Sequence, residues 1–318
     1  MKMRLAVVIV AIVPVLMGTQ AMAQSPTWVS GVGSDANPCS RTAPCQTFAG
    51  AIAKTATSGV VNCLDAGNFG NPTITKSITL DCTGVARGVY ATGTTSGITI
   101  NASNIVVVLK GLTISGPGNS FTSSIGINFV NGRVLHIIDS HVDGFATGIN
   151  FAPPTGSNAR LTAANSSFND NLGVGIDIVP SGTGIANVVL NNVQADTNFV
   201  GVRVLAPAGA RTRLAIWGSS LSTNAAFGLS VDGSGAPATI SIQDSVFASN
   251  GTTGISASGA NATVALCCSL VTLNTTGLSF ASGAQLLTFG NSSNNLNNSS
   301  NGAPSGPVGS PSTANGQQ

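Results

Sequence analysis

A Gly-aliphatic pair recurs along this chain at a nearly fixed interval, and that recurrence restricts the fold more than any other feature. Aligning RVLHIIDSHVDGFATGINF, ARLTAANSSFNDNLGVGIDI, ANVVLNNVQADTNFVGVRV and the three segments that follow sets six glycines in one column. They are Gly148, Gly175, Gly201, Gly228, Gly254 and Gly277, spaced 27, 26, 27, 26 and 23 residues apart. A period in this range marks units that cannot bury an apolar face alone and must stack to share a core.

Within each unit the side chains alternate, as strands require. After the glycines, Ile149/Phe151, Ile176/Ile178, Val202/Val204, Leu229/Val231, Ile255/Ala257 and Leu278/Phe280 are expected to point inward. Earlier in each unit Leu135/Ile137, Leu161/Ala163, Val188/Leu190, Leu214/Ile216, Ile240/Ile242 and Val264/Leu266 form a second inward set. Val142, Phe168, Leu221, Phe247 and Leu270 form a third. Three short strands per unit, joined by Gly, Asn, Ser and Thr turns, predict an all-β parallel β-helix with coils about 4.8 Å apart. Weaker coils in GVVNCLD, ITKSITLDC, SGITI and NIVVVLKGLTISG raise the count to about nine or ten, a rod roughly 45 Å long.

Composition agrees. Acidic residues number 10, all Asp, only 7% of the chain is charged, and glycines number 39, which excludes folds built from long surface helices. Hydrophobic content of 42% is ample for a core and excludes a disordered polymer. The chain opens with Lys2 and Arg4, an apolar run from Leu5 to Met17, and Ala21-Met22-Ala23, which reads as a secretory signal peptide. Cleavage near Ala23 predicts a secreted or periplasmic protein and no membrane span. Removing Lys2 and Arg4 takes the basic count from 12 to 10, equal to the 10 Asp, so the exported chain is formally neutral. Neutrality offers no general attraction to nucleic acid.

Six cysteines in an exported chain read as disulfides. Cys39 and Cys45 bracket a short loop, Cys63 and Cys82 lie in consecutive apolar segments, and each pair is expected to bond. Cys267 and Cys268 are adjacent, and two thiols are expected there in preference to a vicinal disulfide. QTFAGAIAKTA, with Phe48 and Ile52 on one face, predicts a short N-terminal capping helix. The organisation expected is a signal peptide over 1–23, a loop and capping helix over 24–58, the β-helix over 59–290 and a disordered tail over 291–318.

The string TFAGAIAKTATSGVVNCLDAGNFGNPTITKSITL combines that helix, a strand ending in Asp65-x-Gly67-x-Phe69, and ITKSITL. It resembles the entry of right-handed parallel β-helix proteins of the pectin-lyase-like superfamily, over roughly residues 45 to 285. The resemblance implies the right hand of the coil, and it is to exported bacterial members without an assigned activity. No reaction follows from it, because one fold hosts many functions.

Candidate chemistry is sparse. Asp143, Asp170 and Asp196 each stand five residues before a repeat glycine and are expected to stack, either as a calcium site or as ordinary turn residues. Asn171, Asn224 and Asn250 read as a turn ladder beside them. Asn128, Asn150, Asp177, Arg203, Ser230, Ser256 and Ser279 form an outward row in which Asp177 and Arg203 are neighbours, as a cross-strand ion pair or a catalytic pair. An outward strip of Ile138, Ala164, Val189, Ala215, Trp217 and Ala265, with His136, Thr162, Asn191, Ser241 and Gln243, is unexpectedly apolar. Such a strip marks a ligand surface or is covered within the chain, and Trp217 could stack on a sugar ring. His136, Asp139, His141 and Asp143 crowd one coil, as a catalytic group or as surface histidines on a strand, but by register His136 points outward and Asp139 enters a turn.

The leading expectation is a non-catalytic, monomeric exported β-helix binding a polysaccharide or another envelope or matrix component, with Trp217, Asp177, Arg203 and His136 as candidate contacts and no cofactor. The alternative is a polysaccharide lyase-like enzyme acting on uronate-containing glycans, with calcium on the Asp row. A third is assembly through an uncapped C-terminal coil.

Overall fold

The computed structural model describes residues 25–85, 88–92, 96–118, 124–303 and 306–307; the expected signal peptide lies outside them. The protein is a right-handed parallel β-helix with three faces. Fifteen strands form a long sheet that bends at Asn158–Asn169 onto a short third face, taking in His141–Asp143, Thr113–Ser115 and Val89–Tyr90 there; nine form the sheet that carries the repeat glycines, and three more continue the short face further along. The nine-stranded sheet runs from Thr73–Ile74 to Thr276–Ala281, which makes eight full turns between its first and last strands.

The glycine column exists because the coils touch there. A Cβ built on Gly148 would lie 2.5 Å from the carbonyl oxygen of Gly175, and one on Gly201 would lie 2.7 Å from that of Gly228. Any larger residue would prise adjacent coils apart.

The inward columns are buried as alternation predicts. Ile149, Ile176, Val202, Leu229 and Ile255 form one, and Leu135, Leu161, Val188, Leu214, Ile240 and Val264 another. Two residues depart. Val271, not Leu270, continues the third column beneath Phe247, and Leu270 faces solvent. The turn between the short face and the glycine strand holds three residues after His141–Asp143 and Leu270–Thr272 but four after Asn158–Asn169 and Val246–Ala248, so counting back from Gly277 slips by one. Phe280 is 44% exposed because its strand is the last of the nine-stranded sheet and residues 300–301 cover only its first half, at Thr276–Leu278.

Two side-chain ladders bind the coils at their corners. Asn171, Asn198, Asn224, Asn250 and Asn274 are buried inside one corner. Each Nδ2 donates to the Oδ1 of the next, at 3.1, 3.3, 3.0 and 2.9 Å, and Asn274 donates to Asn297 at 3.0 Å. The Oδ1 of Asn198, Asn224, Asn250 and Asn274 also accepts the backbone N–H of the preceding coil's Asn, and that of Asn171 accepts from Phe145 N, so a buried amide satisfies two donors at once. At the other corner Ser219, Ser245 and Ser269 repeat a simpler motif, accepting a backbone N–H from the coil before and donating to the carbonyl two residues back.

Both ends differ from expectation. Strand Thr27–Val29 pairs in parallel with Gly59–Cys63, so the β-helix begins well before residue 59. The helix Phe48–Lys54 does cap this end: Thr47 Oγ1 accepts from Gly50 N, and Phe48, Ala51 and Ile52 are buried, Phe48 against Phe69. At the C-terminal end the segment expected to be disordered from residue 291 is built into the stack as far as it is described. Ser293–Asn295 pairs with Leu270–Thr272, while Gly277 N and Leu278 N donate to Ser300 O and Asn301 O. The Asn-rich composition serves as a hydrogen-bonding lid, since Asn297 continues the buried amide ladder that apolar side chains could not.

Disulfides join Cys39 to Cys45 and Cys63 to Cys82, with Cα atoms 4.6 and 4.7 Å apart. Cys267 and Cys268 are also bonded to each other, not left as two thiols; the left-handed backbone at Cys268 (φ 55°) is shared by residues at this corner on other coils, including Asp244 (φ 50°).

Candidate ligand-binding face

The outer surface of the long sheet is the largest regular face of the molecule. Strand Arg211–Trp217 alternates strictly, burying Thr212, Leu214 and Ile216 and exposing Arg211, Arg213, Ala215 and Trp217. Ile138, Ala164, Asn191, Trp217, Gln243 and Cys267 are successive register partners, forming one outward column. His136, Thr162, Val189, Ala215, Ser241 and Ala265 form the neighbouring one. The apolar strip is therefore two adjacent columns on one sheet.

Trp217 is 56% exposed and Val189 44% exposed, so the described chain leaves both open. The indole is held in place: its Nε1 donates to Asp244 Oδ2 at 3.1 Å, and Gln243 Nε2 donates to the same oxygen at 3.1 Å. Asp244 reaches this position from the left-handed corner turn (φ 50°). The result is an aromatic plate anchored at its polar edge, with the amides of Asn191 and Gln243 on the coils to either side. Phe289 and Asn291 flank Gln243 and Cys267 at the C-terminal end of the strip, forming a cleft that stops short of Trp217.

The other candidate residues lie elsewhere. Asp177 and Arg203 are register partners on the nine-stranded sheet, joined by two hydrogen bonds of 2.9 and 2.6 Å. Donating to the Asp177 carboxylate raises the Arg203 guanidinium above its ordinary pKa, against the opposing effect of burial. Their neighbours are polar amides and hydroxyls in the expected outward row, Asn150 donating to Asn128 at 3.0 Å. His136 is on the long sheet with Trp217 but three coils away, about 14 Å. The four candidates thus occupy two sheets and do not converge.

The Asp row does not stack. Asp143 pairs with Asn169, and Asp196 N donates to Asn169 Oδ1, so Asp143 and Asp196 share a column with an Asn between them. Asp170 sits one residue further along, its Oδ1 accepting from Thr197 Oγ1 at 2.7 Å. The variable turn that displaced Leu270 also displaced this row. Asp196 accepts from Ser220 Oγ and Ser222 N, and no group of three or more His, Cys, Asp or Glu among the described residues is arranged to hold a metal. Asp143 is partly withdrawn from water, and that burial, reinforced by the nearby Asp170 charge, pushes its carboxyl above the ordinary range despite Ser115 and His141. His141 Nδ1 is 2.7 Å from Ser167 Oγ on the short face, away from His136.

Sequence reasoning missed Arg211, Arg213 and Asp244. The arginines share outward parity with Trp217 and were legible from it. Asp244 was not, because only the corner turn directs it at the indole.

No protein-family model matches this chain, and no curated protein matches it. Among solved structures it is similar to the crystal structure of pectate lyase Pel9A, with a TM-score of 0.58 and 14% identity, over 84% of this chain and 76% of that one. The likeness establishes the fold, a parallel β-helix. Among the described residues no helix is long and apolar enough to cross a membrane.

Proposed function

We propose that the protein is an exported, non-catalytic, monomeric β-helix that binds glycan along the outer face of its long sheet. The observation that carries this reading is the exposed Trp217 plate, pinned by Asp244 and bordered by the amides of Asn191 and Gln243. A sugar ring offers an apolar C–H face for the indole and hydroxyls for the amides. Three disulfides suit an oxidising compartment, in keeping with cleavage of a signal peptide near Ala23. The Asp177–Arg203 pair has a sufficient structural role and is left out of the site.

The test is a glycan array with the protein from Gln24 onward, run beside an assay for unsaturated uronate products. Binding without turnover, weakened about three- to tenfold in Trp217→Ala, is the expected result. Formation of unsaturated product would replace this reading with a lyase.

A further inference from the structure

Beside the Trp217 plate, the same sheet carries a cluster of arginines without carboxylate partners. Arg211 and Arg213 project from the strand that carries Trp217, two residues apart and both exposed. Arg160 is joined to Arg213 through one intervening register partner, Asn187, placing the two about 10 Å apart. Arg133 lies one coil before Arg160 at the same corner, its carbonyl accepting from Arg160 N at 2.9 Å.

The ion pairs among the described residues are Lys110–Asp81 and Arg203–Asp177, so none of these four guanidiniums is neutralised. On the long sheet, Asp244 is turned onto Trp217 at the opposite edge, and Asp232 at the nearby corner accepts from Ser234 N. Two grooves open on the arginine ledge. One, about 690 Å³, is lined by Arg133 and Arg160 with Asn131, Thr155, Ser157 and Asn158. The other, about 440 Å³, reaches Arg211. The exported chain is formally neutral, yet four of its ten basic residues gather here while Asp143, Asp170 and Asp196 occupy the short face.

Unpaired guanidiniums clustered within about 10 Å repel one another, and a shared anion converts that repulsion into attraction. Arg160, Arg211 and Arg213 surround Asn187 with three positive charges and forked donors. One carboxylate offers a single charge on two acceptor oxygens, whereas an ester-linked sulfate spreads its charge over three outward acceptor oxygens and a phosphate monoester adds up to a second charge to the same three. We propose that the ligand of this face is a glycan bearing tetrahedral oxyanion esters, phosphate or sulfate, held by Arg160, Arg211 and Arg213 while a sugar ring stacks on Trp217. Along the strand Arg213 and Trp217 are about 13 Å apart, so the ligand must span more than one sugar residue. This inference rests on the glycan-binding reading of the Trp217 face and adds the charge of the ligand.

The test measures binding of the exported protein to phosphorylated mannan, heparin, polygalacturonate and unmodified mannan at low and high salt. One of the ester-bearing polymers is expected to bind at least about tenfold tighter than both polygalacturonate and unmodified mannan, with the advantage lost at high salt. Phosphorylated mannan against heparin identifies which ester is preferred. Arg160→Gln and Arg213→Gln should each weaken ester-polymer binding about tenfold, leave unmodified mannan unaffected and preserve the melting temperature. Equal binding of polygalacturonate, or ester binding unchanged in both Arg variants, overturns the proposal. Trp217→Ala separates the two claims: if it weakens every sugar while the Arg variants weaken none, the glycan face stands and its charge selectivity falls. If only the Arg variants matter, oxyanion capture stands and sugar stacking falls.

Discussion

Arg203 forks onto Asp177 across a single coil step, donating from Nε at 2.9 Å and from Nη2 at 2.6 Å, with the Asp177 side chain only 9% exposed. Removing the cation leaves a nearly buried carboxylate without its partner. Arg203→Met is therefore expected to destabilise the fold by about 2 kcal/mol, less than a fully buried pair because Arg203 itself meets water. Asp177→Asn combined with Arg203→Met should recover most of that loss, since no unpaired charge remains. Denaturant melts of the single and double variants check this, and glycan binding should be unchanged in both.

The asparagine ladder predicts a second sensitivity. Asn250 accepts from Asn224 N and Nδ2 and donates to Leu221 O and Asn274 Oδ1. Asn250→Ala strips partners from several buried groups where water does not enter, at a cost of about 3 kcal/mol or more. Hydrogen exchange should show lost protection concentrated on the two coils beside residue 250, because each coil leans chiefly on its neighbours.

Asp143 gives a pH signature. Burial and the charge of Asp170 raise its folded pKa, so the native state favours the protonated acid. Stability from this group is fully present below the unfolded pKa of about 3.9 and is lost as pH rises through the higher folded value. At neutral pH Asp143→Asn removes that penalty and should raise the melting temperature by about 1–2 °C. The difference should vanish under acid conditions; a gain independent of pH would show that the ionised carboxyl is not the cause.

These features were unequally legible. The repeat glycines and the alternation of Ile149/Phe151 through Ile255/Ala257 exposed the stacked-coil architecture, because period-two burial and a close-contact column leave direct marks on composition. The Asp177–Arg203 pair was legible for the same reason, since both residues lie at a constant offset after a glycine. Rows counted backward failed: Leu270 and the Asp143–Asp170–Asp196 row slipped because the intervening turn varies by one residue. Asn198 and Asn274, buried ladder members, were overlooked among many turn asparagines, and nothing local distinguishes a buried Asn from an exposed one. Asp244 escaped because its role depends on a corner angle, not on a strand face.

The C-terminal segment makes the last prediction. Its composition resembles a disordered tail, yet Asn297 terminates the buried ladder by donating to Val271 O and accepting from Asn274, while Ser300 O and Asn301 O receive backbone N–H groups from the final glycine strand. Truncation after Phe289 would leave Asn274 without its acceptor and free a row of strand N–H groups at the open end. Such an edge is a template for pairing with a second copy. The truncated protein is therefore expected to melt at lower temperature and to show concentration-dependent growth in light scattering, while the chain from Gln24 to Gln318 is expected to stay monomeric at the same concentrations. Restoring residues 290–303 alone should reverse both effects; if the truncated protein remained monomeric and equally stable, these residues would not be the cap.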